Sequence, residues 1–321
     1  MVKAVTIFLC LLCSNILANQ TVDHSKEIDR IIANDLRNKR IELPVVVNPY
    51  IFVRRAYIDI AGRVPTYEEW KTFIRRPDRK KLITDLQNSK GYTESMFNFY
   101  ADLLRIKRRL SNNIDGDTYI SWVRQEIENN TPYDEFIKKI LTAKGNIWEN
   151  PEVGYFLRDE GMLLDNVSNT FQAFAGMNIS CAQCHDHPFD DWTQMDYYNM
   201  TAFFTQLNTR GDKEDRKEFQ RLRKEAEELD KSGKQKGSTN RIGQFYRHGY
   251  QHTIVQDQDK KLKLPDDYKY RDAEPGEVVK AETAVGDRVK EKRKREGLRE
   301  SFANWLANDT HPTFAANIVN R

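Results

Sequence analysis

Thiols are scarce in this chain of 321 residues: there are four cysteines, and two of them, Cys10 and Cys13, fall in the apolar N-terminal stretch. That excludes a small disulfide-stapled scaffold, so folding must rest on buried apolar surface, and a hydrophobic content of 39% is enough for one or two cores. Beyond the N-terminus no apolar run approaches the ~20 residues that span a bilayer, so no internal transmembrane segment is expected. Charge of one sign is not in excess either, since Lys and Arg total 51 against 48 for Asp and Glu. A dedicated nucleic-acid binder needs a basic surplus to neutralise phosphates, so no nucleic-acid partner is expected. There is no Ser/His/Asp signature, no phosphate-binding glycine loop, no carboxylate pair whose separation can be argued and no internal repeat.

The N-terminus reads as a secretory signal. Lys3 supplies the positive region, Ala4 to Cys13 the apolar stretch, and Ile16-Leu17-Ala18 a cleavage site. The competing reading is a buried N-terminal helix. Leu12, where a small residue normally precedes a lipidated cysteine, argues against an anchor at Cys13. Removal of residues 1–18 implies an exported protein: periplasmic, cell-surface or extracellular. Only Cys181 and Cys184 then remain, in a compartment where thiols are oxidised, ligated or capped.

The expected fold class is mainly α: an N-terminal helical domain over 19–206, a charged, partly β insertion or linker over 207–290, and the beginning of a truncated C-terminal helical segment over 291–321. Asn48-Pro49 opens a first helix that ends near Gly62. Thr66 with Glu69 forms a capping box, Asp78 caps Arg79 to Gln87, and Thr93 is placed to cap the next helix. After Thr131-Pro132, the residues Tyr133, Phe136, Ile137, Ile140 and Leu141 share one helical face. A further helix, Gly161 to Gly176, delivers the chain to Cys181. Arg210 to Lys236 has ten basic and eight acidic residues and almost no apolar periodicity, so it is either a solvated helix or a disordered, deletable insertion. Gly243 to Val255 reads as short strands and loops. A basic run, Arg288 to Arg299, leads to an amphipathic helix with Phe302, Trp305 and Leu306, interrupted by a turn at Asn308 to Pro312. Nothing closes the final helical residues up to Arg321, so the chain reads as the start of something longer.

The chemistry concentrates in Cys181-Ala182-Gln183-Cys184-His185, the c-type haem attachment pattern. Two intervening residues make about one turn, which sets both sulfurs along one edge of a porphyrin while the adjacent His points at iron. Haem c held by Cys181, Cys184 and axial His185 is the leading reading. Two others stay open: a Cys181–Cys184 disulfide with no cofactor, and a zinc or iron site using the thiolates with His185 or His187. His187 is too near His185 to reach the opposite face of a ring. Met195, Met200, His248 and His252 are the distal candidates, although on the helix capped by Thr193, which carries both methionines, Tyr197, Met200 and Phe204 most simply form a core stripe. Phe189, Trp192, Phe203 and Phe204 suit a haem wall or a core equally. The cluster Arg105, Lys107, Arg108 and Arg109 is a solvated helix end or a propionate partner.

Asn178 to Gln194, with the run Cys181 to Phe189 at its centre, continues through Asp196-Tyr197-Tyr198 and Ala202-Phe203-Phe204. Together with Arg54-Arg55-Ala56-Tyr57-Ile58-Asp59-Ile60-Ala61-Gly62-Arg63-Val64-Pro65-Thr66 it resembles the planctomycete cytochrome-C-like proteins. The resemblance covers about Ile28 to Gln206. Leu298 to Trp305, His311 to Ala315 and Asn317 to Arg321 are similar to the opening of the domain that follows in those proteins. Membership implies a large secreted bacterial protein of unknown function, often with a separate cytochrome-c-like domain ahead of it, for which Asn19 to Tyr50 offers no cysteine. It also implies association with sulfatases and polysaccharide-degrading systems. The expected function is an exported electron-transfer or redox module with a redox partner protein. The alternatives are an extracellular interaction scaffold with a structural disulfide or metal, and a non-catalytic part of a polysaccharide-degrading system.

Overall fold

Side-chain caps set several of the helix starts. The computed structural model describes residues 24–110, 113–159, 161–211, 213–284, 297–308, 311 and 313–321. The signal segment 1–18, Arg288 and Pro312 lie outside them. The chain divides into two units, 1–59 with 64–82, and 60–63 with 83–321.

In the first unit, α1 (24–38) precedes α2 (Pro49–Ala61), where Asn48 Oδ1 accepts the Ile51 N–H at 3.0 Å ahead of a first-turn proline. Thr66 and Glu69 close the expected capping box on α3 (Tyr67–Arg75). Asp78 accepts from Lys81 at 2.9 Å to start α4 (Arg79–Gln87). Phe52 stacks on buried Phe73 at 5.9 Å, with the Arg79 guanidinium 4.5 Å above the Phe52 ring.

The second unit holds the main core. Its helices are α5 (Lys90–Leu103), α6 (Asp117–Glu128), α7 (Tyr133–Thr142), the short α8 (Gly154–Leu157), α9 (Leu163–Thr170) and α10 (Gln194–Thr201), then α11 (Lys213–Lys231), α12 (Ser238–Tyr246), α13 (Leu298–Leu306) and α14 (Phe314–Asn320). The apolar face of α7 is buried as its spacing requires, through Phe136, Ile137, Ile140 and Leu141. One expected start is corrected: Thr93 does not cap α5. Ser89 takes that place, its Oγ accepting the Tyr92 N–H at 3.3 Å, and Thr93 is buried one turn later.

Three very short strands form an antiparallel sheet in the order β1 (Gly145–Asn146), β3 (Ile254–Asp257), β2 (Leu207–Asn208). Gly145 faces Val255, and Leu207 faces Asp257. The mainly α reading therefore holds, with a small β component.

The region 207–290 differs from expectation in its details. Of the two alternatives for Arg210 to Lys236, the structure takes the solvated helix, α11. It pairs with α12 through Phe219 stacked on Tyr246 at 4.0 Å and through buried Ala226. The Asp230 carboxylate accepts from Ser238 N, Thr239 N and Thr239 Oγ1 at 2.9, 3.1 and 2.6 Å, and so starts α12. Gly243 to Gln251, read as strand and loop, is the end of α12 followed by a π-helical turn, Arg247–Gln251. Packing does not follow the divisions drawn at 206 and 290. β3 lies between strands from both sides of the first. Phe302 of α13 packs on Phe171, Phe203 and Phe204 with centroids 4.8 to 5.7 Å apart.

Candidate functional site

The Cys-Ala-Gln-Cys-His segment owes its shape to a change of helix type. α9 passes into a π-helical turn, Phe171–Ala175, which Gly176 ends in the left-handed region at φ 69°. A Cβ on Gly176 would come 2.7 Å from Asn317 Oδ1 of α14, so the position needs glycine on two counts. A 3₁₀ turn, Ser180–Gln183, follows. In a 3₁₀ turn residues three apart eclipse one another. Ile179 and Ala182 accordingly share the buried side at 0% exposure, while Cys181 and Cys184 share the exposed side and carry free thiols. The turn is held by Ala182 N–H to Ile179 O at 3.0 Å and Cys184 N–H to Cys181 O at 3.3 Å.

His185 and His187 are set up differently. His185 Nδ1 lies 2.7 Å from Asp186 O. A carbonyl only accepts, so Nδ1 carries the proton and the Nε2 lone pair is left for a ligand. At His187, Nδ1 accepts the Phe189 N–H at 3.3 Å, which engages that lone pair within the loop. His187 N–H to Trp192 O at 2.7 Å closes the loop, with Trp192 buried edge-on against Phe171 and Phe189 94% exposed at its tip.

Asp186 organises the surroundings. Its Oδ1 accepts the Gln194 N–H at 2.8 Å, and buried Gln194 donates from Nε2 to Gln183 O at 3.0 Å. Its own N–H donates to the Tyr270 hydroxyl at 2.7 Å. Nearby, burial and then the Cys184 and Asp267 side chains push the Tyr198 phenol above its ordinary range. Sequence reasoning missed Tyr270 and Gln194. Gln194 stood inside the motif stretch, whereas Tyr270, 84 residues from Asp186, had no periodicity or spacing to mark it.

The remaining candidates are dispersed. Met200 is fully buried, and Met195 is half-buried against the same core. The capping box that starts their helix, Thr193 with Asp196, is the expected one. His252 is half-buried beside β3; His248 belongs to the turn Arg247–Gln251, and its side chain lies outside the described residues. Phe203 and Phe204 are core residues. Arg108 pairs with Asp117 and Arg109 bonds to Asn113, as an exposed helix end would. Among the described residues no three His, Cys, Asp or Glu side chains gather as a metal cluster, so a tetrahedral ion would have to draw donors together from elsewhere. The turn offers two exposed thiols and one imidazole with a free Nε2, which are the groups that would hold a covalently attached haem.

Fold and site thus define a mainly α protein that presents a Cys-Ala-Gln-Cys-His turn on its surface. Residues 27–209, more than half of the chain, match the family model PSCyt2, described as a protein of unknown function (DUF1549), and the chain belongs to that family. No curated protein and no solved structure matches it. Among the described residues no helix is long and apolar enough to cross a membrane.

Proposed function

We propose that the chain is an exported redox module that carries haem attached to Cys181 and Cys184, with His185 as axial ligand, and exchanges electrons with a partner protein. The observation behind this reading is the shared exposed face of the two thiols beside an imidazole whose Nδ1–H is already satisfied. Attachment would add each S–H across a vinyl C=C, the S–H bond and the π bond giving way to one C–S and one C–H bond, with no leaving group. Bound haem would supply a one-electron couple. Cys181 and Cys184 would supply the anchors and His185 the iron-binding nitrogen, on a loop held by Asp186, Gln194 and Tyr270. An exposed site also suits transfer to a protein partner.

Protein made in a host with c-type haem maturation should show a Soret band and keep its haem through denaturation. His185→Ala should change the iron-ligand signature of the visible spectrum by removing the protein's imidazole, and His187→Ala should leave it as it is. Colourless protein with two titratable thiols or with stoichiometric zinc would overturn the proposal. A second reading is an extracellular scaffold in which a Cys181–Cys184 disulfide or a metal staples the turn. Its support is that Asp186, Gln194 and Tyr270 hold the loop with protein bonds alone. A place beside polysaccharide-degradation proteins follows only from the family resemblance.

A further inference from the structure

We propose that residues 258–284, which lie beyond the matched span, are a positioning strap for the Cys-Ala-Gln-Cys-His turn and act on it through the Tyr270 hydroxyl. The strap folds back on itself through Leu264 N–H to Glu277 O and Val279 N–H to Leu262 O, both 2.9 Å. It is pinned to the second unit by buried Leu264, Tyr268 and Ala281. Tyr268 donates to Asp272 at 2.7 Å, and its ring, which a phenylalanine would also supply, meets the Tyr270 ring edge-on at 5.6 Å and fixes where Tyr270 points.

From there the contacts run in series. The Tyr270 oxygen takes the Asp186 N–H, and the Asp186 carbonyl takes the His185 Nδ1–H, each at 2.7 Å. The two peptide groups flanking the Asp186 Cα are thereby fixed, one by the strap and one by the imidazole it orients. Without the hydroxyl, Asp186 keeps its carboxylate bond to Gln194 N and the peptide after it keeps the His187 N–H bond to Trp192 O, but the peptide between His185 and Asp186 loses its partner and can turn. The His185 tautomer and the direction of Nε2 would then be set by solvent. Tyr270 is a positioning residue in the protein as it folds. Its bearing on haem rests on the functional reading above.

The test compares Tyr270→Phe, which keeps the ring, with Tyr268→Phe, which removes a hydroxyl from the same strap without touching the loop. In haem-free protein, Tyr270→Phe should speed exchange of the Asp186 amide roughly tenfold, the scale set by losing one hydrogen bond. It should also mix the His185 tautomers in nitrogen-detected NMR while leaving the melting temperature nearly unchanged. Tyr268→Phe should leave the Asp186 amide and the His185 tautomer as they are. In haem-loaded protein, external imidazole should displace His185 more readily from Tyr270→Phe. Unchanged Asp186 exchange in Tyr270→Phe, or equal changes in both variants, would overturn the proposal. Failure of either protein to take up haem would count against the functional reading, and the exchange and tautomer results would still decide the role of Tyr270.

Discussion

Arg299 is 1% exposed and spends its guanidinium largely on backbone: Nη1 donates to Leu141 O at 3.1 Å and Ala143 O at 2.9 Å, and Nε to Asp257 at 2.9 Å. Burial lowers its pKa, and the Asp257 charge offsets only part of that. Arg299→Met would strand two carbonyls at the end of α7 and leave Asp257 with Lys144. We expect it to cost about 2–5 kcal/mol, the scale for leaving two buried carbonyls without a donor, measurable as a lower urea midpoint. Arg221 pairs with Glu218 and Glu225 in full solvent, and Arg221→Ala should leave the melting temperature where it is. His311 sets a pH dependence. Burial lowers its pKa, so the unfolded chain binds the proton more readily than the folded one. Its Nδ1 also accepts from Phe314 N at 3.3 Å, a bond that the imidazolium cannot accept. Stability should be level above the unfolded pKa of ~6.5 and fall as pH drops through it, and His311→Asn should flatten that decline between pH 7 and 5. Asp159 acts lower on the scale. Burial raises its pKa, but the bonds and charge of Arg158 outweigh that and hold the carboxyl below its ordinary range, so its contribution is lost only below ~4.

At the scale of elements, the helices that could be read in advance were those whose determinants are local. The Thr66–Glu69 and Thr193–Asp196 boxes need four consecutive residues, and α7 shows its buried face in its spacing. The cysteine turn was legible for the same reason: its chemistry lies within five residues. α12 was not legible because Ser238, Thr239, Gly243 and the aromatic residues after them are poor helix formers, and their helix depends on Asp230 and Phe219 of another element. Tyr270 was hidden by the same kind of distance. The hairpin α11–α12 leaves between β2 and β3, which are paired neighbours, and Gly211 N–H to Gln251 O at 3.3 Å closes its neck. The ends to be rejoined are thus already within hydrogen-bond reach. Replacing 212–250 by a short glycine-containing turn should preserve the fold, shift the melting temperature by only a few degrees, and leave the reactivity of Cys181 and Cys184 unchanged. Cutting instead at Arg210 and Lys236 would remove Asp230 and Phe219 while leaving α12 behind with its apolar face uncovered, and that variant should aggregate.

Across the second unit, one core is assembled from segments that composition separates. Phe171, Phe203 and Phe204, from the region that carries the cysteines, close around Phe302 of α13. Asn317 of α14 donates to Ala173 O at 2.8 Å beneath the turn that leads to Cys181. Tyr133 stacks on Phe314 at 5.1 Å. Each large apolar side chain removed from such a core costs about 3–5 kcal/mol, against a whole-domain stability of about 5–15 kcal/mol. A fragment of residues 19–206 lacks Phe302, Trp305, Leu306 and Phe314 together with β3, which exceeds any reserve of that size. We expect the fragment, made alone, to show no cooperative melting transition and to bind a hydrophobic dye, and adding a peptide of residues 297–321 should restore only part of the order, because β3 and the strap would still be missing. Limited proteolysis of the intact chain should cut in the α11–α12 hairpin and leave the nicked halves associated. An independently folded 19–206 fragment, with a sharp transition of its own, would show that α13 and α14 dress a core that is already complete.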